Sequence, residues 1–236
     1  MSAIPNHLPI VAAARAMVEV FADVTCPSAH VGLRRFVARR EALGVAHPIL
    51  RVRAWPLELV NGEPLARDLV AHLVDELRDR AAPDLFRGFD ADVLPLSSMP
   101  ALELVAAAYE RSDPVGERVS LRVRDALFEH GRDIGHPDVL GEIAAAEGIT
   151  VHAYEAEQIV LREYEEGRRR GVRGSPEFFL DRRGWYCPSL HIEKVGDTLR
   201  IEPDLEAVEA FLTACFEENA RDGGDRHEHR DTGWVR

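Results

Sequence analysis

An apolar run that stops at a cysteine and restarts as a helix constrains this chain more than any other feature. Val18, Val20, Phe21 and Val24 are β-branched or aromatic and suit a strand. Pro27 follows Cys26 and suits a first helical turn, where its missing N–H costs nothing and its fixed φ is already helical. Ala29, Leu33, Phe36 and Val37 come next at i, i+4, i+7 and i+8, an apolar face whose other side carries Arg34, Arg35, Arg39 and Arg40. The strand therefore delivers Cys26 to a helix start, among unpaired backbone N–H groups at the positive end of the helix dipole. That position favours thiolate and predicts a thiol pKa below the ~8.5 of a free cysteine. A thiolate is the nucleophile of thiol–disulfide exchange.

The second strand is read at Ile49–Trp55, where apolar and charged residues alternate; it should run parallel to the first through the helical crossover between them. Pro56 ends it. From about residue 64 to 168 the pattern is helical, with helices expected at 65–82, 98–111, 114–130, 137–147 and 155–169. Ser98 ahead of Pro100, Asp113-Pro114 and His136-Pro137-Asp138 mark their starts. Sheet residues return after Gly171-Val172-Arg173-Gly174-Ser175-Pro176, with a strand through Phe178-Phe179-Leu180. Asp181-Arg182-Arg183-Gly184 is read as the turn after it. Trp185–Val195 and Thr198–Glu202 are read as further strands, and 204–218 as a helix with Leu205, Val208, Phe211, Leu212, Cys215 and Phe216 on one stripe. The residues from 219 to 236 are polar and Gly-rich and read as a disordered tail.

With 29 Lys and Arg against 41 Asp and Glu, the chain carries a net charge of −12, which argues against nucleic-acid or anionic-membrane surfaces. Small molecules or other proteins are the expected partners. The three cysteines, at 26, 187 and 215, make neither a zinc spacing nor a disulfide framework, and an odd count suits a reducing compartment. The run Leu8–Ala14 imitates a signal-peptide core, but no Lys or Arg precedes it and Arg15 follows at once. No stretch approaches the ~20 apolar residues of a membrane helix. The expected location is the cytoplasm.

Asp23, Cys26, Pro27, Val31, Gly32 and the Arg34-Arg35 pair together resemble the DsbA-like thioredoxin-fold family, and within it the FrnE-like branch, whose first strand ends in a D-x-x-C-P-x-C helix start. The resemblance implies an α/β thioredoxin fold, built from residues 1–55 and 170–218, with an all-helical insertion from 56 to 169. It also implies that Pro176 is cis and faces the active-site sulfur. One position departs from the pattern. Ala29 stands where the dithiol members have their resolving cysteine, leaving the single-cysteine motif Cys-Pro-Ser-Ala. The related 2-hydroxychromene-2-carboxylate isomerases and kappa-class glutathione transferases also lack the pair and hold a small thiol at this helix start, usually with serine in place of Cys26.

The expected site is therefore Cys26 as nucleophile, Pro176 across from it, and His30 one helical turn on, able to stabilise the thiolate or carry its proton. Pro27, Ser28, Ser175 and Arg168 are the expected thiol-binding residues, Arg168 as part of a basic run ahead of the proline loop. Cys187 sits in Cys187-Pro188-Ser189, an echo of the Cys26 motif. If it opens a fourth strand antiparallel to the third, it lies at the sheet end away from Pro176. Cys215 belongs to an apolar helix stripe. His227-Glu228-His229 lies in the polar tail and is not read as a metal site. The leading functional expectation is a thiol–disulfide oxidoreductase with one active-site cysteine, no tightly bound cofactor, and glutathione or another low-molecular-weight thiol resolving the mixed disulfide on small-molecule or protein substrates. The alternatives are a thiol-dependent isomerase or transferase, and a non-catalytic binding module of the same fold.

Overall fold

The computed structural model describes residues 17–195 and 198–221. The apolar run at 8–14, the tail beyond 221 and the His227-Glu228-His229 segment lie outside them. Strand β1 (Met17–Ala22) leads through Cys26 into helix α1 (Pro27–Ala42), which returns to β2 (Ile49–Ala54). The β1–β2 pairing is parallel, Val20 opposite Val52. Helices α2 (Leu57–Asn61), α3 (Arg67–Arg80), α4 (Met99–Arg111), α5 (Asp113–Phe128), α6 (Pro137–Glu147) and α7 (Ala153–Arg170) follow before the chain rejoins the sheet. Strand β3 (Glu177–Leu180) pairs antiparallel with β1, and β4 (Arg183–Tyr186) antiparallel with β3, giving the order β2-β1-β3-β4. Strands β5 (Leu190–Val195) and β6 (Thr198–Pro203) form a separate two-stranded sheet, and α8 (Leu205–Arg221) ends the described chain. This is a thioredoxin fold with a helical insertion between β2 and β3.

Strand alternation sorts the β1 side chains into two layers. Val18, Val20 and Ala22 join the large core that also holds Leu33 and Phe36 of α1 and Phe211 of α8. The Phe211 ring lies 4.5 Å from that of Phe178 and 5.7 Å from that of Trp185, so α8 covers this face of the sheet. Phe21 faces the other way, toward Trp55 and Val172, with Tyr164 of α7 packed on the same cluster. Gly167 lets α7 come close here, since an added Cβ would run into the Trp55 and Phe21 rings.

Three expectations need correction. The single strand expected over Trp185–Val195 is two strands in different sheets, broken at Cys187, whose φ is 41°. The turn after β3 is also tighter than expected. Leu180 pairs with Arg183 directly, so Asp181 and Arg182 make a two-residue hairpin turn, with Asp181 at φ 53°. Gly184 belongs to β4, where the Phe179 ring lies 3.1 Å from the place a Cβ would occupy. At the other end, α8 carries the helix past residue 219 to Arg221, where a disordered tail was expected to have begun. Among the described residues no helix is long and apolar enough to cross a membrane, and no three His, Cys, Asp or Glu are grouped to hold a metal ion.

Candidate active site

Cys26 is the N-cap residue of α1, in extended backbone at φ −83°, with Pro27 as the first helical residue. Its thiol donates a hydrogen bond to the Ser175 carbonyl oxygen at 3.2 Å, and the Ser175–Pro176 peptide is cis. The Ser175 hydroxyl accepts from the Asp23 N–H at 2.9 Å, so the two loops are tied on both sides of the sulfur. Cys26, Pro27, Ser28, Ser175 and Pro176 are thus brought together, because β1 and β3 run antiparallel and the end of one meets the start of the other.

The electrostatics run against the sequence expectation. Cys26 is 6% exposed, and burial pushes its thiol above the ordinary value rather than below it. The Ser175 side chain and the N–H groups of Ala29 and Ser28 pull the other way by hydrogen bonding to the sulfur, while the Asp23 carboxylate adds to the rise. The helix start does favour the thiolate, as its geometry requires, but desolvation is the larger effect.

Asp23, named in sequence only as a motif residue, and Arg124, not named at all, are the site residues that the structure adds. The Asp23 carboxylate accepts from the Thr25 N–H and hydroxyl, both at 2.8 Å, from the Leu57 N–H at 2.7 Å and from the Ser98 hydroxyl at 3.0 Å. One buried side chain thereby fixes the cysteine loop against the starts of α2 and α4. Asp23 was visible as part of the motif, but its partners lie far along the chain. Arg124 of α5 is fully buried, donating to the Asp23 carbonyl at 3.1 Å and to the Ser120 hydroxyl at 2.6 Å. Burial lowers its pKa to about 10, while the charges of Asp23, Tyr109 and Cys26 act to hold its proton. It is a fixed positive charge behind the cysteine, and nothing in the local sequence distinguishes it from the exposed Arg122 two residues earlier.

His30 is held elsewhere. Its Nε2 lies 2.7 Å from a Glu129 carboxylate oxygen, and its ring packs against Phe128 at 5.0 Å and Phe86 at 5.4 Å. Burial lowers its pKa, with Glu129 opposing, so the ring is neutral and Nε2 carries the proton toward Glu129. The buried Nδ1 has no hydrogen-bond partner, which suits an unprotonated nitrogen facing apolar rings. Arg168 pairs with Glu165 at 3.1 Å and lies over the Tyr164 ring, on the exposed end of α7. The structure gives both residues partners of their own, neither of which is the cysteine.

Cys187 stands where the sequence did not put it. Since β4 ends at Tyr186, opposite Glu177, Cys187 follows the strand instead of opening it. Its N–H donates to the Pro176 carbonyl at 2.8 Å. Burial pushes its thiol up to about 12, with the Cys26 charge adding to the rise and a hydrogen bond to the Ser28 side chain opposing it. Cys215 is fully buried in α8, within the large core. None of the three cysteines is in a disulfide.

Comparison with solved structures gives the same fold. A 2-hydroxychromene-2-carboxylate isomerase is 14% identical with a TM-score of 0.60, the match covering 87% of this chain and 98% of that one. The cytosolic disulfide reductase DsbM from Pseudomonas aeruginosa, in a structure with GSH, is 20% identical with a TM-score of 0.56, covering 87% of this chain and 99% of that one. No functionally curated protein matches the chain. The DSBA-like thioredoxin domain profile matches residues 17–199, which includes β1, the Cys26 helix start, the insertion and the Pro176 loop. The chain belongs to the DSBA-like thioredoxin domain family.

Proposed function

We propose that the chain is a thiol–disulfide oxidoreductase whose attacking sulfur is Cys26, and that a low-molecular-weight thiol such as glutathione supplies the reducing equivalents. The observation that carries this reading is the Cys26 sulfur on the Ser175 carbonyl, at a helix N-terminus beside Pro176. Deprotonation leaves the sulfur facing the Ser175 side chain and the N–H groups of Ser28 and Ala29, all of which favour the thiolate. Attack on a substrate disulfide then forms a mixed disulfide at Cys26 and releases one thiolate. The odd number of cysteines, at 26, 187 and 215 with no disulfide framework in the sequence, supports a cytoplasmic setting. Likeness to a protein named as a cytosolic disulfide reductase, solved with GSH, supports the same reading.

A second reading, a thiol-dependent isomerase or transferase, is favoured by the likeness to the 2-hydroxychromene-2-carboxylate isomerase and by Ala29 in place of a second motif cysteine. The two readings separate on one assay: reduction of a small disulfide by glutathione, with wild type and Cys26→Ser compared. Loss of turnover in the variant supports the oxidoreductase. Equal turnover in both rules Cys26 out as the attacking thiol.

A further inference from the structure

The sequence leaves Cys26 without a partner in its own helix, but the fold brings Cys187 to the other side of the Ser175–Pro176 loop. The two-residue turn at Asp181-Arg182 makes β3 and β4 a tight hairpin, and its register sets Tyr186 opposite Glu177. Cys187, one residue further, is consequently level with Pro176 and bonded to the Pro176 carbonyl at 2.8 Å. The preceding carbonyl, that of Ser175, takes the Cys26 thiol at 3.2 Å. The Cys26 side chain and the Cys187 backbone are thus held by consecutive carbonyls of one loop.

Helix α1 clamps the same turn. The Ser189 hydroxyl donates to the Ser28 carbonyl at 3.3 Å, and the Ser28 side chain acts in favour of the Cys187 thiolate. Ser28 lies two residues beyond Cys26, so Cys187 and Cys26 both border the first turn of α1. The Leu190 N–H closes the turn on the Cys187 carbonyl at 3.0 Å, and Cys187 itself adopts a left-handed backbone at φ 41°. That conformation disfavours most non-glycine residues. Both thiols are buried, at 6% and 3% exposure.

We propose that Cys187 is the resolving thiol of this site, attacking Cys26 in a mixed disulfide and closing a Cys26–Cys187 disulfide across the Ser175–Pro176 loop. The proposal rests on the oxidoreductase reading above and names the residue that completes it. In the first step the Cys26 thiolate attacks a disulfide RSSR′, forming Cys26–S–S–R and releasing R′S⁻. In the second, Cys187 gives up its proton and its sulfur attacks the Cys26 sulfur; the S–S bond to R breaks, and RS⁻ leaves as the proton acceptor. The substrate disulfide has gained two electrons and the protein dithiol has lost them. Two equivalents of a low-molecular-weight thiol restore the dithiol and leave as their own disulfide. Electrostatics favour the order of events: the negative charge on Cys26 that disfavours a Cys187 thiolate disappears once Cys26 is in the mixed disulfide.

The test is peptide mapping without reduction. Wild-type protein is treated with oxidised glutathione, quenched with an alkylating reagent, digested and analysed by mass spectrometry, beside Cys187→Ala, Cys187→Ser and Cys215→Ala. The expected result is a peptide pair linked through Cys26 and Cys187 in wild type and in Cys215→Ala. Both Cys187 variants should instead accumulate a persistent glutathione adduct on Cys26. A wild-type protein that retains the Cys26 adduct with Cys187 alkylated would overturn the proposal and leave the single-thiol oxidoreductase standing. Absence of any Cys26 adduct or link in all four proteins would overturn the oxidoreductase reading itself. The wild-type map decides the matter even if a Cys187 variant does not fold.

Discussion

Cys26 and His30 share the first turns of one helix, and each is governed by its surroundings more than by its place in that helix. For Cys26, burial outweighs the N–H groups of Ser28 and Ala29, so the resting group is a thiol. Its alkylation rate should therefore rise with a midpoint above the ~8.5 of a free cysteine, and lie below the free-cysteine rate at neutral pH. A midpoint under ~8 in a peptide-resolved iodoacetamide titration would mean that the helix dipole wins after all. His30 predicts a stability effect with a definite sign. Its folded pKa is lowered by burial, so the unfolded chain takes up a proton near pH ~6.5 while the folded chain does not. Stability is intact above that pH and falls as the solution is acidified through it. Glu129, held at about 2 against the cost of burial by His30 and by the N–H groups of Phe86 and Arg87, adds a loss in the same direction below pH ~4.5. A His30→Gln variant, which keeps a donor for Glu129 but cannot titrate, should be less stable than wild type at about pH 7.5 and should close the gap by about pH 5. Parallel melting-temperature curves would show that His30 does not titrate in the unfolded chain alone.

At the scale of the element, the first turn of α1 has room for a different chemistry. Ala29 is fully buried, three residues beyond Cys26 in α1, and its N–H acts in favour of the Cys26 thiolate, so a side-chain sulfur at this position would start within the same helical turn. Ala29→Cys, made together with Cys187→Ala to remove the competing thiol, should link the introduced sulfur to Cys26 on oxidation and gain dithiol exchange activity. The added volume should cost roughly 1–3 kcal/mol in the reduced form. An oxidised variant with both thiols still alkylatable would show that the helix start does not present the two positions to each other. This helix start was legible because every signal for it is local: the apolar strand, the proline and the following apolar face. The parallel β2 and the long helices α3 to α7 of the insertion were legible for the same reason, whereas the placement of the Ser175-Pro176 loop against Cys26 was implied only by the family resemblance. The β3–β4 hairpin was not. Gly184 looks like a turn residue in sequence, yet it lies in β4 opposite Phe179, with the Phe179 ring against the place a Cβ would take, and Asp181 takes the left-handed position instead. With the shorter turn, and with β4 ending at Tyr186, Cys187 stands level with Pro176 instead of at the far end of the sheet. The Glu129 partner of His30 and the buried Arg124 behind Cys26 were hidden because each contact joins residues about a hundred positions apart.

On the scale of the whole molecule, the helical insertion closes the sheet. Strand β2 is an edge strand, and one side of its ladder has no strand to pair with among the described residues. The insertion supplies side chains instead. The Tyr109 hydroxyl of α4 accepts from the Val52 N–H and donates to the Leu50 carbonyl, both at 2.9 Å, and a Glu163 carboxylate oxygen of α7 accepts from the Ala54 N–H at 2.8 Å. Helix α5 presses α4 into place through Gly116, which leaves no space for a Cβ beside the Tyr109 ring. The insertion is thus part of the sheet's hydrogen bonding, and Asp23 extends the same connection to the cysteine loop through Leu57 and Ser98. Tyr109→Phe keeps the ring and its packing but strands a buried N–H and a buried carbonyl. The expected cost is about 1–3 kcal/mol. In urea the unfolding midpoint should fall with an unchanged slope. Because Trp55 sits between sheet and insertion and Trp185 lies in β4, intrinsic fluorescence and far-UV circular dichroism should report one coincident transition in both proteins. An unmoved midpoint would mean that the Tyr109 hydroxyl is dispensable to the edge. Two separated transitions would mean that the helices fold as a unit of their own, and that the cysteine loop, tied to both parts through Asp23, is assembled only when the two have docked.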